Sequence, residues 1–113
     1  MTTAPKKQAP ASPAVGGRPD REVFVVVTYD IPNDRRRLKV MKTLEGYGDR
    51  VQYSVFECLI TNATYGQLRQ RLGKLISAKE DDIRFYELCR SCQAARKGMG
   101  RGKPQPRQEH VVV

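Results

Sequence analysis

Asp30 and the arginines that follow it are the residues of this chain best suited to chemistry. A carboxylate is a hard oxygen ligand for a cation such as magnesium. Arg35, Arg36 and Arg37 come five to seven residues later, and Arg50 follows. Guanidinium groups pair with phosphate oxygens in a planar fork, and helix N–H groups beside them reinforce that preference. The spacing therefore suits a phosphate-bearing ligand held next to a carboxylate. Two plainer readings stand beside this one. Asp30 could be a turn or cap residue, and the arginines could form a solvated helix face partly neutralised by Asp34. Asp34 is the nearest other carboxylate, but its place suits a helix cap better than a general base.

The remaining reactive residue types offer less. Ser54 has no sequence-adjacent base, which argues against nucleophilic catalysis. Cys89 and Cys92 form a Cys-x-x-Cys pair, a spacing used by zinc and redox sites. Only Cys58 and His110 remain to complete a zinc site, so reduced structural thiols are the expected reading. Tyr29 is expected to pack, and Phe56 either stacks a base or lies in the core.

Positioning Asp30 is the task of the run Val23-Phe24-Val25-Val26-Val27-Thr28-Tyr29-Asp30. Five consecutive apolar residues, β-branched but for one Phe, predict a strand. Alternation places Phe24, Val26, Thr28 and Asp30 on one face and Val23, Val25, Val27 and Tyr29 on the other. Both faces are largely apolar, as in a central strand covered on both sides. Pro32, Asn33 and Asp34 end it. Asn33 or Asp34 then caps a helix with the stripe Leu38, Met41, Leu44 and Tyr47, which Gly46 and Gly48 terminate. Cations in the first turn of that helix oppose its dipole.

Asp49–Thr61 is extended by composition. Alternation through Val51, Tyr53 and Val55 fails at Phe56, so it is either one bent strand or two short ones around Ser54–Glu57. Thr61 or Asn62 caps a second helix with the stripe Tyr65, Leu68, Leu72, Leu75 and Ile76, whose outer Arg69, Arg71 and Lys74 are expected to be solvated. Lys79–Asp82 reads as a polar turn and Ile83–Cys89 as a strand. With a central hairpin the order is βαββαβ. That is an α+β, ferredoxin-like sandwich with two helices on one face of an antiparallel sheet. The second apolar face of the first strand then calls for cover, which a homodimer through that sheet face would supply.

The chain has 113 residues and a net charge of +9. Residues 1–20 are rich in Pro, Ala and Gly and read as a flexible N-terminal tail. Residues 93–113 carry Arg96, Lys97, Arg101, Lys103 and Arg107 against Glu109 and read as a basic flexible C-terminal tail, with a short strand conceivable at 110–113. The folded core is then 21–92, small enough to benefit from burial in an oligomer. The positive balance fits a polyanionic partner, or simply a solubilising excess. No apolar run approaches the ~20 residues that span a bilayer. The N-terminal stretch lacks the apolar segment of a signal peptide. Three cysteines without an export signal suggest a reducing cytoplasm.

The run VVVTYDIPNDRRRLKVMKTLEGYGDRVQYSVFEC resembles the small CRISPR-associated Cas2 family. Two motifs carry the likeness: a first strand ending in Tyr-Asp-Ile before a basic helix, and the following Arg-Val-Gln-Tyr-Ser-Val-Phe-Glu. It covers about residues 25–90. The resemblance implies a ferredoxin-like homodimer whose first-strand aspartates face a shared cleft. It implies Mg²⁺-dependent endonuclease activity on RNA or double-stranded DNA in some members, and a non-catalytic role beside the integrase subunit in others. By that likeness Asp30 is the metal-binding and catalytic aspartate, with Tyr29 before it. Arg37, Arg50 and Phe56 match further positions, and Lys39 stands where some members carry arginine.

The expected function is CRISPR adaptive immunity, an antiviral defence. In it a nucleic-acid-binding homodimer works with the integrase subunit in spacer acquisition, with Mg²⁺-dependent hydrolysis of RNA or DNA phosphodiesters. The alternatives are a non-catalytic bridge in the integrase complex and an RRM-like RNA-binding module, which shares the βαββαβ order. An RRM displays aromatics on its open sheet face. Phe85 and Tyr86 are adjacent and fall on opposite faces, so they do not supply that pattern.

Overall fold

A computed structural model describes residues 18–101. The elements run β1 (Glu22–Asp30), α1 (Asp34–Glu45), β2 (Asp49–Gln52), β3 (Val55–Thr61), α2 (Asn62–Leu75), β4 (Asp82–Leu88) and a short α3 (Arg90–Ala94). The sheet order is β2-β3-β1-β4, with every neighbouring pair antiparallel. This is the expected βαββαβ sandwich, and its most apolar strand is central.

The core lies between the sheet and the two long helices. Val25, Val27 and Tyr29 of β1 meet Val40 and Leu44 of α1, Phe56 and Cys58 of β3, and Tyr65, Leu68 and Leu72 of α2. Asn33 caps α1, its side chain accepting from the Arg36 N–H at 2.9 Å. Thr61 caps α2 by accepting from the Thr64 N–H at 3.2 Å. Each cap satisfies a backbone donor that the first helical turn leaves without a partner.

The ambiguous stretch 49–61 resolves into two strands. Tyr53 and Ser54 form the turn, and the β2–β3 register slips between Arg50 and Gln52. That slip re-phases the strand so that Val55, Glu57 and Leu59 lie opposite Thr28, Val26 and Phe24 of β1. Gly48 makes the hairpin's entry fit. A Cβ there would sit 2.3 Å from the Glu57 carbonyl oxygen and 2.6 Å from the Cys58 sulfur. Only glycine allows so close a backbone approach.

The second face of β1 is covered in part by the chain itself. The ordered fold continues past residue 92, where sequence composition ends the core: α3 crosses that point and Arg96 folds back over the sheet. Its guanidinium lies 4.8 Å from the Phe24 ring centroid, donates to Glu57 at 2.5 Å and to the Gln93 carbonyl at 2.9 Å. Phe24 is consequently 1% exposed. The Gly- and Arg-rich composition of this segment concealed the docking, because a single cation stacked on an aromatic leaves no periodic pattern. Val26, Val55 and Leu59 stay partly open on this face, and Tyr86 is half-exposed. The strand expected at 110–113 lies outside the described residues.

Candidate active site

The site is built at the end of β1, where a buried aromatic holds an exposed acid in place. Tyr29 faces the core and stacks on Phe56, with ring centroids 6.3 Å apart. Its hydroxyl donates to the Tyr53 carbonyl at 3.1 Å, and its backbone N–H donates to the Ser54 carbonyl at 3.1 Å. Both bonds fasten the β2–β3 turn to the residue before Asp30. Burial pushes the Tyr29 hydroxyl above its ordinary pKa, while the positive charges of Arg50 and Arg37 pull it the other way. Tyr29 is therefore a neutral anchor, and the alternating strand turns the next residue, Asp30, outward.

Asp30 is exposed on the open sheet face. Directly opposite it across the antiparallel β1–β4 ladder is Asp82. Side chains so paired have Cβ atoms about 5 Å apart, and two like charges there are unfavourable unless a cation lies between or beside them. Arg84 supplies part of that neutralisation, donating from Nε to Asp82 at 2.9 Å. Asp82 is the acid that sequence reading passed over, as the last residue of a polar turn. Only the strand register reveals it, and no local pattern fixes register between β1 and a strand more than 50 residues later.

The arginines divide into three roles. Arg37 braces the loop after Asp30, donating to the Ile31 and Pro32 carbonyls at 2.9 and 3.4 Å and pairing with Asp34. Arg36 turns away from the site. Its Nε and one terminal nitrogen bind Asp81 at 2.7 and 3.1 Å, and that nitrogen also reaches Glu80 at 2.8 Å. The expected phosphate role of Arg36 is thus met by a protein carboxylate pair. Its fork is filled by Asp81, whose side chain is buried and also accepts from the Ser77 N–H at 2.8 Å. Arg35 is exposed and makes no hydrogen bond or ion pair among the described residues. Arg50 is exposed, contacts the Met41 sulfur at 2.8 Å and sits 5.9 Å from the Tyr53 ring.

Phe56 is fully buried, so the alternative that it stacks a nucleobase gives way to a core role. The open sheet face agrees with the sequence argument against an RRM: Phe85 turns inward onto Tyr65, with ring centroids 5.9 Å apart, while Tyr86 faces out and Phe24, on the same face, is covered by Arg96. Arg69 and Arg71 of α2 are exposed, as expected, and lie over the Tyr65 and Tyr47 rings at 4.4 and 5.8 Å, so their stems also cover apolar surface. Among the described residues, no three His, Cys, Asp or Glu side chains gather as metal ligands. Nor is any described helix long and apolar enough to cross a membrane.

The family model for CRISPR-associated protein Cas2 matches residues 23–96, from the first strand through the arginine that closes over it. The chain belongs to the Cas2 family. A relative named CRISPR-associated endoribonuclease Cas2 1, from Chloroflexus aurantiacus, is 45% identical over 92 residues, covering 80% of this chain and 99% of the relative. The crystal structure of Streptococcus pyogenes Cas2 is 39% identical with a TM-score of 0.62, over 68% of this chain and 99% of that one. A chain in a partial Cas6-RT-Cas1–Cas2 complex is 31% identical with a TM-score of 0.62, over 74% of this chain and 97% of that one. The Cas2 fold thus accounts for nearly the full length of these relatives, and the segments of this chain beyond it are the two termini.

Proposed function

We propose that this protein acts in CRISPR immunity as a nucleic-acid-binding homodimer beside an integrase subunit during spacer acquisition, and hydrolyses phosphodiester bonds of RNA or double-stranded DNA. The observation that carries the proposal is Asp30: an exposed carboxylate on a buried, doubly anchored strand, facing Asp82 and flanked by the Arg37 brace. The relatives' endoribonuclease names and the Cas1–Cas2 complex neighbour support it.

The donor chemistry fits magnesium, which prefers carboxylate oxygens and retains several waters. Asp30 and Asp82 would hold the ion, and Asp30 of a second chain would complete the protein share of the shell. When bound, the ion supplies an activated water and offsets charge on the reacting phosphate. Everything else falls to the chain. Tyr29 fixes the direction of Asp30 through its two bonds to the β2–β3 turn. Arg37 and Arg35 place positive charge at the start of α1, where backbone N–H groups also point outward, and so orient a phosphate against the carboxylates. Arg50 adds charge from the β2 side.

A dimer through the open sheet face would cover Val26, Val55, Leu59 and Tyr86, which the Arg96 segment leaves partly exposed. One observation favours the bridge reading over the nuclease: a single chain brings only two carboxylates to the site, with no third ligand among the described residues. Incubation of RNA and duplex DNA with the full chain, in Mg²⁺ and in EDTA, separates the two. Cleavage that requires Mg²⁺ supports the nuclease. Tight binding with no cleavage in either buffer assigns the bridge, and metal-independent cleavage contradicts the site described.

A further inference from the structure

Cys89 and Cys92 play no part in the site at Asp30, and the structure does not bury them as structural thiols. Both are exposed, whereas Cys58 is in the core. Cys89 immediately precedes α3 and Cys92 lies in its first turn. Residues three apart in such a turn stand side by side, and the two thiols are in hydrogen-bond contact with each other. The Cys89 sulfur is 3.2 Å from the Ser91 hydroxyl, and the Cys92 thiol and backbone N–H also favour a negative charge there. These contacts bring the Cys89 pKa down to about 7, while the hydrogen bond with the Cys89 sulfur, and then its charge, raise that of Cys92. Cys58 behaves oppositely: burial pushes it up to about 12.

Access matches reactivity. Cys89 opens onto a broad groove of about 1300 Å³ at the opposite end of β1 from Asp30, lined also by Leu88, Arg90, Gln93 and Arg96; its Leu59 side borders the face assigned to the proposed dimer, and Cys89 lies outside the residues that dimer would cover. Such a groove admits a small-molecule disulfide. Two thiols without a third nearby ligand among the described residues make a poor zinc site.

We infer that Cys89 and Cys92 form a reversible dithiol–disulfide site, with Cys89 the attacking thiol and Cys92 the resolving one, that exchanges with low-molecular-weight disulfides. In the first step the Cys89 thiolate attacks one sulfur of a disulfide RSSR, forming a mixed disulfide and releasing RS⁻, which takes up a proton. In the second step Cys92 loses its proton and attacks the Cys89 sulfur. The protein S–S bond forms and a second RS⁻ leaves, to be protonated in turn. Two protein thiols are oxidised and one RSSR is reduced to two RSH.

The test exposes the full-length reduced chain to glutathione disulfide at neutral pH, quenches with an alkylating agent and reads intact and peptide masses. The wild type should lose two hydrogens between Cys89 and Cys92 without retaining an adduct, and Cys58 should stay reduced. Cys92→Ser should accumulate a glutathione adduct on Cys89, and Cys89→Ser should react about tenfold more slowly. Equal rates for the two variants, a lasting adduct on wild-type Cys89, or disulfides between chains would each overturn the inference. Both side chains are exposed, so neither serine variant removes core packing.

Discussion

Arg36 grips Asp81 with two nitrogens and Glu80 with one, tying the start of α1 to the loop before β4. That loop leads into β4, whose first residue, Asp82, pairs opposite Asp30, so the Arg36 pairing anchors the residue next to the second acid. The Arg36 hydrogen bonds hold the Asp81 carboxyl below the usual carboxylate range, with help from the Ser77 N–H and against the opposing pull of burial. A depressed folded-state pKa contributes stability that is complete above the ordinary carboxyl value of about 4 and is lost as pH falls through the folded value. Urea midpoints measured from neutral to acid pH should therefore fall for the wild type below about pH 4. For Asp81→Asn they should start lower and fall less steeply. Parallel curves would remove Asp81 from the account. Residue types told part of this in advance. An aspartate closing an apolar strand is conspicuous, and so is an arginine cluster. Which arginine faces a ligand and which a protein carboxylate depends on a partner 45 residues away, and no local pattern encodes that.

Among the elements, β1 was readable because its five consecutive apolar residues are four Val and one Phe, types that favour a strand over a buried helix. The helices were readable from their stripes and caps. The hairpin was not: no Gly, Pro or Asn marks its turn, and its register slip hides Phe56 in the core while alternation alone left that side open. The glycine that makes the hairpin fit lies before it. Gly48→Ala should cost about 1–3 kcal/mol, the usual penalty for forcing atoms into a packed position, because its Cβ would collide with backbone atoms of β3. Gly73→Ala in α2, where an added Cβ meets nothing within 4 Å, should instead gain about 0.5–1 kcal/mol from helix propensity. Denaturant unfolding of both variants checks the pair. A neutral Gly48→Ala would mean that β2 does not approach β3 as described.

The whole molecule combines a narrow, well-packed sandwich with a strongly positive charge of +9. The apolar second face of β1 implied a cover. The chain supplies part of it through Arg96, and the remainder is the surface assigned to the proposed dimer. Charge of this sign should make duplex-DNA binding strongly salt-dependent. With six or more phosphate contacts, affinity should fall about 10³-fold between 50 and 200 mM salt. Titrations across that range test it, and a flat response would remove the backbone-contact picture.

The central claim is that Asp30, at the tip of the anchored strand, carries phosphodiester hydrolysis. Its most direct test is the rate of RNA and duplex-DNA cleavage in Mg²⁺ by the wild type and by Asp30→Asn, with nucleic-acid affinity measured alongside. Asp30→Asn should cleave about 10²-fold more slowly or worse, the scale set by removing a group that stabilises the transition state, with binding retained. Cleavage by Asp30→Asn at the wild-type rate would contradict the claim.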